Sequence, residues 1–391
     1  MKTFINNTTI ILLPLLGLLI PTSSNGIISE QFEILIPFIV IFLLAILFFI
    51  NKVYLQNMVL SFFMLVLLLF FTFIQLHINN HIFTRISWGG FLSYIAIFLI
   101  YSISYEKIGS ENIVYKLFVL TNIFVLIMGF LIILDLPIVE AFFIKNYSVG
   151  YPELVHNMLA VNKPVTFFGS HSIAAFFYYL FFAINFITYR YKAKKIFLFI
   201  GALNLIEMSF LNSVSALLLL CISIAQILIY IFKYNKRLAL FSIPVIASFV
   251  LFLFFTYKDV VINILLRQNN GFLGRFGENG VLGTNLSYIS THILSIGLWY
   301  SDELYFTDSG IIINLMKGSI LLVFLMYGGL YLLFKNNINN ITVVRMLTFM
   351  FVIFEIAYPI LNYSRMTFLL PFFVIYLNKL TNDNNKIINL K

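Results

Sequence analysis

The sequence predicts an all-α integral membrane protein of about twelve spanning helices, and three observations carry that prediction. The 391 residues are 61% hydrophobic and 18% aromatic with only 10% charged, at a mean hydropathy of +1.01, a balance that no soluble core of this size requires. The apolar residues gather in runs close to the ~20 residues that cross ~30 Å of hydrocarbon, whereas barrel strands alternate over about ten. The Lys and Arg residues divide unequally between alternate gaps, as orientation in a membrane requires.

Taken in order, the runs lie at 8–22, 31–50, 54–76, 86–105, 113–134, 166–188, 196–211, 214–232, 239–256, 310–334, 346–361 and 366–379. The first occupies a signal peptide's position, yet it has a single early Lys2, a mid-run Pro14 and no small-x-small cleavage site, so it reads as a spanning helix. The seventh and eighth runs are separated only by LNSVS (211–215). That spacing predicts a tight hairpin whose Asn212, Ser213 and Ser215 satisfy each other across the interface. Cys221, inside the eighth run, reads as a small core hydrophobe, and a lone Cys supports neither a disulfide framework nor a thiol metal site. Glu207 and Glu355 fall inside the seventh and eleventh runs. A carboxyl at that depth is either functional or tied to a Lys, Tyr or backbone group of a neighbouring helix. No repeat of 20 to 50 residues is visible, so the chain reads as one polytopic domain, 1–391.

Orientation follows from the cations. With the N-terminus inside, sixteen Lys and Arg residues lie on the cytoplasmic side and eight outside, which places both termini in the cytoplasm. RYKAKK (190–195) and KYNKR (233–237) become short inside loops facing anionic lipid, so the net charge of +9 points to membrane lipid and not to nucleic acid. Two substantial loops are then outside, 135–165 and 257–309. The second is about fifty residues long and holds Gly271, Gly274, Gly277, Gly280 and Gly283, with Arg267, Arg275, His292, Asp302, Glu303 and Asp308. Cations on that face run against the general bias. They are either ordinary solvated side chains or the receptor for an anionic ligand at the outer surface.

The absence of a Walker loop, GxGxxG, HExxH or GxSxG sets aside ATP-driven pumps, dinucleotide enzymes, zinc proteases and α/β-hydrolases. His77 and His81 are four apart without a third ligand, and Asp302 and Glu303 are adjacent. No metal or other cofactor is therefore expected. The outside Arg residues suit pyrophosphate, because a planar guanidinium makes bidentate, charge-assisted bonds to phosphate oxygens. Asp308, one residue before SGIIINLMKGSI, can serve as a general base for a hydroxyl, as a helix N-cap, or as both.

TDSGIIINLMKGSILLVFLMYGGLYLLF (307–334), following a long outside loop, resembles the signature of the O-antigen polymerase and ligase superfamily. There, a polar Asp or His with a small residue opens a helix that soon reaches a Gly; here those are Asp308, Ser309 and Gly318. KPVTFFGSHSIAAFF (163–177) is similar to a second family stretch, with Lys163, Phe168, Gly169, His171, Ala174 and Ala175 in the matching places. The plan of inside basic loops and outside polar loops extends the likeness over essentially the whole chain. The resemblance implies a GT-C-like glycosyltransferase in the cytoplasmic membrane, with the large loop outside. Its substrate would be a glycan on polyprenyl pyrophosphate, moved onto a sugar hydroxyl of the next lipid-linked repeat unit, with a chain-length regulator as a further partner. Arg275, Arg267 and Lys163 would hold the pyrophosphate; Lys163 stands where Arg is usual and lacks the fork. Asp308, or else His292 or His171, would be the base. The ligase branch usually has His at the helix mouth, so Asp308 leans toward a polymerase. A lipid-linked oligosaccharide flippase is the alternative from another class.

Overall fold

The computed structural model describes residues 2–20, 30–78, 83–147, 152–234, 280–292, 294–301, 304, 306 and 309–388, together with positions 244, 248, 251, 255 and 258. The contacts divide into two compact units: Met1–Ile123 with Val281–Lys391, and Phe124–Gly280. The first unit holds α1 (Lys2–Leu19), α2 (Glu30–Ile50), α3 (Leu55–Ile78), α4 (Trp88–Ser102) and the start of α5 (Glu111–Ile133). The second continues through the rest of α5, α6 (Pro137–Tyr147), α7 (Pro152–Leu159), a 3-10 turn at Thr166–Phe168, α8 (His171–Lys192), α9 (Lys195–Phe210) and α10 (Val214–Tyr234). The chain then returns to the first unit as α11 (Val281–Thr291), α12 (Gly310–Asn337), α13 (Ile341–Ala357), a 3-10 turn at Ile360–Asn362 and α14 (Ser364–Ile388). Two-residue strands, β1 (Arg85–Ile86) and β2 (Trp299–Tyr300), pair antiparallel.

Six helices among the described residues are long and apolar enough to cross a membrane: α1, α3, α5, α8, Val214–Lys233 of α10, and α12. They mark a helical integral membrane protein. The expected run at 239–256 falls outside the described residues apart from isolated positions.

Helix α3 shows why these segments belong in lipid. Its buried residues are Asn57, Ser61, Met64, Leu68, Thr72 and Gln75, a stripe at helical spacing. Phe62, Phe63, Phe70 and Phe73 are each more than half exposed. Polar groups inside and aromatic rings outside reverse the pattern of a soluble helix, and only hydrocarbon accommodates such a surface. The inward polar groups are used: Asn57 Nδ2 donates to the Tyr101 carbonyl at 2.9 Å, and Gln75 Nε2 donates to that of Ser295 at 3.1 Å.

The first unit is tied at both ends. At one end Asn6 and Asn51 exchange amide hydrogen bonds of 3.1 and 3.0 Å between α1 and the residue after α2. Asn336 Nδ2 donates to Asn57 Oδ1, Asn337 Oδ1 accepts from the Tyr105 amide, and Asn378 Nδ2 donates to the Asn337 carbonyl. Lys2 and Lys379 lie at this end, donating to the Ile50 and Glu106 carbonyls. At the other end the buried Arg365 guanidinium donates to the carbonyls of Gly17, Leu18 and Ile20 at 2.7, 3.0 and 3.0 Å. It fills the unpaired acceptors and opposes the negative dipole at the C-terminus of α1.

In the second unit every residue from Ile173 to Thr188 is buried, and α8 packs against α9 and α10. The hairpin at 211–215 forms, but its polar groups look elsewhere than expected. Ser215 Oγ donates to Ser172 Oγ of α8 at 3.1 Å, Ser213 Oγ accepts from the Ala216 amide, and the Asn212 carbonyl accepts from Lys163. The approach of α8 supplies a partner that two sequential helices do not. Cys221 is exposed and not a core residue, because a thiol is apolar enough to face lipid.

Replacing Arg365 with Met leaves three buried carbonyls without donors, and the expected cost is about 2–4 kcal/mol. Thermal unfolding of the purified protein in detergent should show a clearly lowered midpoint. Lys335→Met, at an exposed position, should move it little.

Candidate functional site

The local chemistry begins with a break in α12. Gly318 (φ −150°, ψ 25°) and Ser319 (φ 61°, ψ −172°) leave the helical region between the two halves of the element. Gly-Ser pairs are a known cause of such kinks. Ser319 occupies a region that side-chain-bearing residues rarely enter, at a cost of about 1–3 kcal/mol. A break also frees carbonyls. Those of Met316 and Lys317 accept from the amides of Ile296 and Gly297 at 2.9 and 3.0 Å.

The donating segment is held by α3 and by the strand pair. Thr72 Oγ1 accepts from the Leu298 amide at 2.8 Å and the Thr72 carbonyl accepts from Trp299 Nε1 at 3.0 Å. Gly297 has φ +65° and lies so close to Thr72 that a Cβ there would collide with its backbone. Arg85 pairs with Tyr300 in the strand register and sits over its ring at 4.9 Å. Ser87 follows β1, donates its amide to the Leu298 carbonyl at 2.8 Å, and caps α4 by accepting from the Gly90 amide.

These elements enclose a cavity of about 290 Å³ lined by Ser87, Gly89, Gly90, Ser93, Tyr94, Phe306, Ile313, Lys317, Tyr358, Pro359, Asn362 and Tyr363. Lys317 is its only charged lining residue among those described and is 7% exposed. Its Nζ lies 5.3 Å from the Tyr94 ring centroid and 5.8 Å from that of Phe306. Two aromatic faces repay part of the lost hydration of an ammonium, yet none of the described lining residues is acidic. Asn362 Oδ1 is buried without a hydrogen-bond partner. A buried cation with no carboxylate beside it among the described residues, an unused acceptor, two serines and several aromatic rings suit an anionic ligand that also carries hydroxyl groups.

Behind the cavity, Glu355 is fully buried; Tyr327 donates to its Oε2 at 2.9 Å and the Leu361 amide to its Oε1 at 2.6 Å. Of the two readings the sequence left open, its contacts are those of a carboxyl tied to Tyr and backbone groups. Glu207 is also fully buried, pressed against Gly129, where a Cβ would collide with the carboxyl, and neither of its oxygens makes a hydrogen bond of normal geometry.

The expected site residues are distributed differently. Asp308, Arg275 and Arg267 lie outside the described residues. The N-cap of α12 is Ser309, whose Oγ accepts from the Ile312 amide at 3.4 Å. His292, in the first unit, is exposed at the end of α11, stacked on Tyr288 at 4.1 Å, with Nδ1 2.9 Å from Thr291 Oγ1. It does not line the cavity. Lys163 and His171 belong to the second unit. Lys163 Nζ donates to the Asn212 carbonyl at 3.4 Å, and partial burial lowers its pKa from the ordinary lysine value. His171 opens α8 beyond the left-handed Gly169 (φ 63°), with Nδ1 3.3 Å from the Met158 sulfur.

Sequence reasoning missed Lys317, which it counted only among the outside cations. The available signal was a Lys directly before Gly-Ser inside an apolar run, a place where hydrocarbon tolerates a charge only if protein surrounds it.

Gly297→Ala should therefore cost about 2–4 kcal/mol through strain and collision. Hydrogen exchange on the purified protein should show the Ile296 and Gly297 amides losing protection while the α8 amides keep theirs. Comparison with protein-family profiles, curated proteins and solved structures finds no match to this chain.

Proposed function

We propose that the chain is a polysaccharide polymerase: a metal-independent membrane glycosyltransferase that moves a glycan from polyprenyl pyrophosphate onto the next lipid-linked repeat unit. The observation that supports this reading most is the Lys317 cavity, where a buried ammonium, with no counter-ion among the described residues, lies among aromatic rings and hydroxyls. In the reaction an acceptor hydroxyl attacks the anomeric carbon, the bond from that carbon to the pyrophosphate oxygen breaks, and the hydroxyl proton passes to a base. The departing diphosphate gains negative charge, and a cation held in a site shielded from water stabilises it by several kcal/mol. Lys317 takes that role in the proposal. Arg275, Arg267 and Lys163 keep the pyrophosphate contacts that the family resemblance assigns them, and Asp308, with His292 or His171 behind it, remains the base. Asp308 stands in the sequence between cavity-lining Phe306 and the Ser309 cap.

The proposal includes about twelve spans, a GT-C-like arrangement, cytoplasmic termini and a site at the outer face of the cytoplasmic membrane. Charge within the first unit supports that orientation. Lys2 and Lys379 gather at the end of the bundle tied by the asparagines, with Lys52 and Lys335 beside them in sequence, and Lys317 marks the opposite end. A second reading, a transporter of lipid-linked oligosaccharide, draws on the broken α12, since discontinuous helices commonly line transport paths. A ligase would differ only in its acceptor.

Lys317→Met, expressed in cells lacking the native gene, should remain in the membrane yet cut long-chain polymer by about a hundredfold or more, the size of effect expected for one charge-stabilising group. Single repeat units should still reach the outer acceptor. Polymer of normal length would remove Lys317 from the mechanism, and repeat units trapped inside would favour the transporter. Purified protein given lipid-linked units alone should elongate them, which a ligase does not do.

A further inference from the structure

Glu355 belongs to a buried polar cluster in which, among the described residues, no cation balances a carboxylate. The groups bearing on its carboxyl from the packed elements are Tyr327 of α12, Tyr94 and Tyr101 of α4, and the backbone N–H groups of Ile360 and Leu361. None of these described groups is a cation. The carboxyl also rests on Gly310 in the first turn of α12, where a Cβ would collide with it. Its hydrogen bonds suit both protonation states, because a tyrosine hydroxyl donates to a carboxylate and accepts from a carboxylic acid.

The cluster reaches the cavity. The Tyr327 hydroxyl interacts with Asn314 as well as with Glu355. Asn314 Oδ1 accepts from the Tyr94 hydroxyl at 2.8 Å, and the Tyr94 ring lies beneath the Lys317 ammonium in the cavity wall. The Tyr101 hydroxyl is buried without a hydrogen-bond partner, leaving spare donor and acceptor capacity near the carboxyl. A structural staple needs none of this. A chain of polar groups running from an open cavity to a buried acid is what proton exchange across a low-dielectric region requires.

We propose that Glu355 is a proton-binding site, loaded and unloaded from the Lys317 cavity by way of Tyr94, Asn314 and Tyr327. The step is a simple protonation. A carboxylate takes up one proton delivered through the cavity and becomes a carboxylic acid, and release reverses this, with no other reactant. The proposal stands whether the cavity serves a transferase or a transporter.

The test is infrared difference spectroscopy on the full chain in lipid bilayers, titrated from about pH 6 to about pH 10, a range that leaves ordinary exposed carboxyls almost fully ionised. A carboxylic-acid carbonyl band should disappear as the pH rises, be missing from Glu355→Gln and survive in Glu207→Gln. Tyr327→Phe, which keeps the acid but removes its hydroxyl partner, should retain the band at a shifted frequency, so the assignment does not rest on the Gln variant folding. Asn314→Leu should slow the deuterium shift of the band about tenfold or more when the buffer is exchanged for heavy water. A titration with no such band, or one that Glu355→Gln leaves intact, overturns the site. An unchanged exchange rate in Asn314→Leu overturns the route.

Discussion

Two backbone hydrogen bonds, from the Ile296 and Gly297 amides to the Met316 and Lys317 carbonyls, make the rest of this arrangement possible. Within hydrocarbon an unpaired peptide group costs several kcal/mol, so a helix can break there only if another part of the protein supplies what the ladder loses. The segment around Gly297 does so, and it can approach because Gly297 has no side chain to meet Thr72. The break in turn separates a half-helix carrying Lys317 from the longer apolar half. Without it, an unbroken helix would carry its lysine at a different angle to the Tyr94 and Phe306 rings.

The first unit distributes its polar groups by the same rule. Asn6, Asn51, Asn57, Asn336, Asn337 and Asn378 pair with each other or with backbone groups at one end of the bundle, and at the other Arg365 closes the C-terminus of α1. Phenylalanines cover the outer face of α3. Lipid exerts no pressure to bury those rings, so helix association depends on packing and on inward hydrogen bonds. Among the described residues of the cavity region, Lys317 and Glu355 are buried without an opposite charge beside them, and both functional proposals rest on them.

Much of this was legible in the chain. The runs at 54–76, 113–134 and 214–232 emerge as helices α3, α5 and α10 with ends shifted by a few residues, and the stretch opening at Ser309-Gly310 does begin a helix. The Gly318 noted in the sequence turned out to be a hinge in the backbone. Composition could not show that. The polar groups of the 211–215 hairpin were visible, but not that Ser215 would meet Ser172, because a partner from a non-adjacent helix leaves no trace in local spacing. The segments 135–165 and 257–309 read as polar connections, yet their described parts hold α6, α7 and α11, helices of 8 to 11 residues, too short to stand out as apolar runs.

What the sequence by itself determined is the class of solvent: enough apolar residues, in runs of sufficient length, to require a bilayer and therefore helices. That inference is local, since each residue's transfer energy and each segment's length can be summed without knowing its neighbours. Only the tertiary structure decided which charge is buried and what faces it. Lys317 and Lys335 lie on one helix, yet one is enclosed by residues from α4 and from 306–363 while the other is exposed. That difference arises from chain segments hundreds of residues apart in sequence meeting in space, and no local pattern encodes their meeting.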